Sequence, residues 1–134
     1  MKQTERLRLC LVSTPGPIYM ATCATLAQTP RIRLIAIAAG ALSATQLLPT
    51  LHADLVLLDA SLPEEEMWAL LRWMTDHRPD VPCMVAALSS VQLQQALAFG
   101  AATAVRRDEL PSALRSWVDT LLQEKEMAAE GADT

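Results

Sequence analysis

The sequence is poor in the residues that most small catalytic, metal or nucleic-acid sites are made from. Its two histidines, His52 and His77, stand far apart with no ligand spacing around them, so a histidine-rich metal centre is excluded. Its three cysteines, Cys10, Cys23 and Cys83, include no CxxC pair. Such an odd, unpatterned set is expected of reduced thiols used as small core residues. One Tyr, one Phe and three Trp leave little to sandwich a planar cofactor. Eleven Lys and Arg against fifteen Asp and Glu give a net charge of -4, which supplies no basic field for nucleic acid or anionic lipid. No apolar run approaches the roughly 20 residues of a membrane span, and charge interrupts the first ten residues before a signal peptide can form. A nucleophile elbow, a dinucleotide fingerprint, an HExxH motif and internal repeats are also missing.

What is present is core material. Hydrophobic residues make up 51% of the 134, enough for one domain with a core between two helical layers. Short apolar runs at Leu7 to Val12, Arg33 to Ala38, Leu55 to Leu58, Cys83 to Leu88 and Thr103 to Arg106 recur after helix-length segments. Runs such as LVLL and MVAAL lack the alternation of a half-exposed strand. They predict a parallel sheet covered by helices on both faces.

The helical faces are readable. Leu114, Trp117, Val118, Leu121 and Leu122 repeat as one stripe, with Asp108 or Leu110-Pro111 opening that helix. Gly100 is a plausible left-handed cap for the helix before it. Pro49 makes the second helix short or kinked, and Glu64, Glu65 and Glu66 suit the first turn of the third. Residues 6–124 are expected to form the domain and 125–134 a fraying helix end and polar tail.

In an open parallel sheet the functional crevice lies beyond the carboxyl ends of the strands. The strand ends read Ser13-Thr14, Asp59, Ala87 and Arg107, and Asp59 is their only carboxylate. ADLVLLDASLP, RPDVPCMVAAL and FGAATAVRRDELPSAL resemble, across Leu7 to about Leu122, the receiver domains of two-component response regulators that precede helix-turn-helix output domains. The resemblance implies a doubly wound, flavodoxin-like α/β fold with strand order 2-1-3-4-5. It places Asp59 at the phospho-accepting position, and implies a cytoplasmic, non-enzymatic signalling module.

The same resemblance marks departures. Ser13 and Thr14 stand where the family has its Mg²⁺-holding acidic pair, Ala87 replaces the Ser or Thr that grips the phosphoryl group, Ala104 replaces the switch aromatic, and Arg107 replaces the lysine. Mg²⁺ binding is therefore expected to be weak or absent, no other cofactor or metal is expected, and Arg107 is a candidate bidentate partner for Asp59. The preferred reading is a phosphorylation-independent module acting by protein contacts, with no direct nucleic-acid binding by this chain and no membrane contact. Alternatives are a receiver that still accepts phosphate on Asp59, and a small flavin or nucleotide carrier using the Ser13 to Pro17 loop.

Two partner surfaces are suggested. On the third helix, Trp73 lies well over a right angle from the Met67, Leu71 and Met74 stripe at 100° per residue, and is expected to face outward beside Ala69 as a modest apolar patch. By analogy with the family, a homodimer through the fourth and fifth helical segments would take its rim charges from Arg106, Glu109 and Arg115.

Overall fold

The computed structural model describes residues 6–132, with side chains through Ala129. Five strands, β1 (Leu7–Val12), β2 (Ile32–Ala38), β3 (Leu55–Asp59), β4 (Cys83–Ala87) and β5 (Thr103–Arg106), alternate with helices α1 (Pro17–Ala27), α2 (Ala41–Leu47), α3 (Glu64–His77), α4 (Ser90–Ala98) and α5 (Leu110–Ala132). All neighbouring strands are parallel, and the order is β2-β1-β3-β4-β5, the topology anticipated above. Every residue of β3 and β4 is buried, because a helical layer covers each face of the sheet.

Alternate residues of the strands feed two cores. Cys10, Val12, Val56, Leu58, Cys83 and Val85 pack with Ala44, Leu48, Met67, Leu70, Leu71 and Met74 beneath α2, α3 and α4. Leu7, Leu9, Leu11, Leu55, Leu57 and Met84 pack with Leu26, Leu110, Leu114, Val118 and Leu122 beneath α1 and α5. The cysteines are free thiols, and burial pushes Cys10 up to about 11 and Cys83 up to about 12, as small core residues rather than nucleophiles.

Helix ends follow local chemistry. α2 stops at Leu47, two residues before Pro49, and Arg78 donates through Nη1 to the Leu48 and Leu51 carbonyls just beyond it. Ser89 caps α4 by accepting from the Gln92 N–H at 3.1 Å, as N-cap residues do. Gly100 ends α4 with φ +109, and a Cβ there would stand 2.8 Å from Thr75 Oγ1. Gly100→Ala is expected to cost about 1–2 kcal/mol through strain and displacement of Thr75, measurable as a lowered urea midpoint with unchanged slope.

Two expectations about elements fail. α5 does not fray after Gln123 but continues to Ala132, so residues 125–132 of the expected tail are helical and its last two, 133–134, lie outside the described residues. Glu, Lys, Met and Ala are strong helix formers that need no buried face to extend an established helix. Trp73 does not face outward: it is half-buried against the core beneath α3, and its ring stacks on His77 with centroids 4.7 Å apart. An indole is large enough to fold back over the flank of its helix, which a residue-per-residue angle ignores.

Candidate functional site

The carboxyl ends of β1 and β3, the middle of α1 and the turn after β5 converge on one carboxylate. Asp59 is the last residue of β3 and is fully buried. Four donors surround it. Ser13 Oγ lies 3.2 Å from Oδ2, and Thr22 Oγ1 also donates to Oδ2. The Ser61 N–H lies 3.3 Å from Oδ1, and Arg107 Nη1 lies 3.0 Å from Oδ1. A buried ionised carboxylate requires this degree of hydrogen bonding and charge pairing.

The hydrogens can be assigned consistently. One Arg107 nitrogen, Nη1, donates both to Asp59 and to Thr22 Oγ1 at 2.9 Å, using its two hydrogens. The contact is therefore a single-nitrogen fork rather than the bidentate pair expected from sequence. The Thr14 N–H donates to Ser61 Oγ at 2.9 Å, Ser61 Oγ lies 3.1 Å from Ser13 Oγ, and Ser13 in turn donates to Asp59. Each hydroxyl in this chain gives one hydrogen and accepts one.

The arrangement does not fit a divalent cation. Among the described residues no group of three His, Cys, Asp or Glu side chains is placed to hold a metal. Asp59 is the only carboxylate in the cluster just described, and a guanidinium occupies one of its oxygens. Mg²⁺ would need several free oxygen ligands and would stand beside a fixed positive charge. The loop from Ser13 to Pro17 is equally spent as a phosphate cradle. The Ser13 N–H goes to the Ala38 carbonyl and the Thr14 N–H to Ser61, and Pro15 and Pro17 have none, which leaves Gly16.

The remaining predicted positions are spread out. Thr14 is exposed, with its hydroxyl 3.4 Å from the Ala39 carbonyl. Ala87 is buried at the end of β4, one residue beyond the Ala86 that pairs with Asp59. Ala104, in β5, packs half-buried against the α2–α3–α4 core. Arg106 pairs with Asp108 at 3.2 Å, and Glu109 and Arg115 are exposed at the turn before α5 and on it. Since α3 lies on one face of the sheet and α5 on the other, Ala69 and Trp73 form no common surface with Arg115.

Thr22 and Ser61 were missed. Thr22 is a fully buried polar residue one helical turn before Leu26 on the inward side of α1, and a hydroxyl in a core position is the only signal it offers. Ser61 follows Asp59 by two residues, the spacing at which an Asx turn brings a backbone N–H to the carboxylate.

The fold and this strand-end carboxylate together define a receiver-type architecture. Similar solved structures include the Salmonella typhimurium RcsB response regulator, at TM-score 0.75 and 15% identity over 90% of this chain and 62% of that one. The non-phosphorylated receiver domain of Escherichia coli RcsB matches at TM-score 0.75 and 15% identity, covering 90% of this chain and 95% of that domain. The receiver domain of the putative response regulator NarL from Mycobacterium tuberculosis matches at 0.70 and 16%, covering 86% and 98%. The chain thus has the receiver fold, and it spans under two thirds of the Salmonella RcsB chain. No family model and no curated protein matches the sequence.

Proposed function

We propose that this chain is a receiver-like signal-transduction module that works through protein contacts and does not use phosphorylation of Asp59. The observation that carries the reading is Arg107 Nη1 seated 3.0 Å from Asp59 Oδ1 while Ser13 and Thr22 hold Oδ2. The guanidinium is a counter-ion at the position the resemblance gives to lysine, and it engages one oxygen of the carboxylate that would take a phosphoryl group. Ala87 and Ala104 add neither a hydroxyl to grip such a group nor a ring to report it, so phosphorylation has no two-state element to bias. In this role the protein is not an enzyme and requires no cofactor.

The contact surface we assign is α4. The sequence has no charged residue between Asp80 and Arg106, and Leu88, Val91 and Leu97 on and beside α4 are 59%, 69% and 42% exposed. An uncharged helix that exposes apolar side chains together with Gln94 and Gln95 has the charge-depleted composition of an interface centre. None of the helices is long and apolar enough to cross a membrane among the described residues.

Titration with Mg²⁺ and beryllofluoride, followed by amide chemical shifts, tests the reading. No saturable shift is expected at Asp59, Ser13 or Arg107. Saturable binding with displacement of Arg107 would restore the phospho-accepting alternative.

A further inference from the structure

We infer that a second copy of this chain docks edge to edge against β2, independently of α4. β2 is the outer strand on its side of the sheet. The register with β1 shifts between Leu9 and Cys10, so Leu34 pairs with Leu9 and Ile37 with Leu11. In a regular strand, residues three apart face opposite ways. Here the extra residue turns both toward the α1 side, where Leu9 and Leu11 lie.

Leu34 and Ile37 remain 37% and 44% exposed. α1 runs beside them with Met20, Cys23 and Ala27 at helical spacing, and Cys23 and Ala27 line a shallow 450 Å³ groove together with Leu34, with Arg6 and Arg31 also in its lining. Met20, one turn nearer the carboxyl end of the sheet, is 69% exposed. There is no charged residue from Leu9 to Pro30 or from Leu34 to Ala53. α1, α2 and β2 beyond Arg33 therefore contribute no charge of their own to this edge, which carries Arg6, Arg31 and Arg33 at its amino end.

Charge placement selects a second copy as the occupant. Arg33 is exposed near the amino end of β2, on the face opposite Leu34, and has no ion pair among the described residues. At the other end of the strand, Glu66 Oε1 accepts from the Ala41 N–H at 3.2 Å and would lie 3.3 Å from a Cβ on Gly40. A two-fold axis through the middle of β2 runs the two strands antiparallel. It brings Arg33 of each copy toward Glu66 of the other, and sets Leu34 of each against Ile37 of the other, with Met20 on the same face toward the Leu34 of the other copy. Such an isologous contact closes on itself. The register shift blunts the edge as a template for unrelated strands, so the contact depends on these side chains.

Sedimentation equilibrium of the full chain over a dilution series tests the inference. The expected result is a reversible dimer that Ile37→Asp weakens about 100-fold or more, as loss of a central apolar contact does. Arg33→Glu is expected to weaken it more modestly, and Val91→Asp on α4 to leave it intact. Met20→Asp, on an exposed helix position, decides the matter if Ile37→Asp fails to fold by circular dichroism. A wild-type monomer throughout, or a dimer lost in Val91→Asp and kept in the β2-edge and α1 variants, overturns the inference. The second outcome would place the copy on α4, and neither bears on whether Asp59 accepts phosphate.

Discussion

Arg107→Ala is expected to destabilise the protein by about 3 kcal/mol, the lower end of what breaking a buried ion pair costs. Asp59 is fully buried and the Arg107 side chain only 19% exposed, so the substitution leaves a carboxylate in the core with its counter-ion gone. The Ser13, Thr22 and Ser61 donors remain and keep the loss from being larger. Removing the charge as well should relieve it: Asp59→Asn combined with Arg107→Ala is expected to recover about 2 kcal/mol relative to Arg107→Ala alone. Urea unfolding of the two single variants and the double variant gives the coupling directly. Additive losses would mean that the contact carries no energy.

Ser13→Asp is expected to have an effect of similar size and a different sensitivity. Ser13 is 1% exposed and its hydroxyl donates to Asp59 at 3.2 Å, so the change replaces a donor by a second buried anion. Two carboxylates at about 4 Å repel by about 4 kcal/mol at an effective dielectric of 20, and Arg107 offsets part of that, leaving a net loss of about 2–3 kcal/mol in chelator. The variant sets a second carboxylate beside Asp59, restoring one of the two acidic positions that the resemblance assigns to Mg²⁺. Adding Mg²⁺ should raise the Tm of Ser13→Asp combined with Arg107→Ala by about 4 °C while leaving the wild type and Ser13→Asp alone unmoved. A rise in Ser13→Asp with Arg107 in place would show that Arg107 does not keep the cation out.

Much of this was legible in the sequence, for identifiable reasons. The near-continuous apolar runs of β3 and β4 reported burial on both faces, and with five such runs separated by helix-length segments the topology has few solutions. Asp59 and Arg107 were reachable because functional groups in a parallel sheet gather at strand ends. Thr22 and Ser61 were not, since a hydroxyl makes no periodic pattern and its partners lie 37 and 48 residues away in Asp59 and Ser13. Trp73 was misplaced because helical angle describes where a side chain leaves the backbone, not where a large ring comes to rest. The tail of α5 was misjudged by giving its missing apolar stripe more weight than the helix propensity of EKEMAA. The apolar β2 edge depends on a register shift that strand alternation alone does not reveal.

The proposed independence from phosphorylation rests on Arg107 engaging Asp59 Oδ1 at 3.0 Å. Intact-mass measurement after incubation with acetyl phosphate and excess Mg²⁺, with Asp59→Asn and Arg107→Lys alongside, addresses it most directly. The wild type is predicted to show no added phosphoryl group under conditions that fully modify a working receiver. A stoichiometric gain in the wild type that disappears in Asp59→Asn would contradict it.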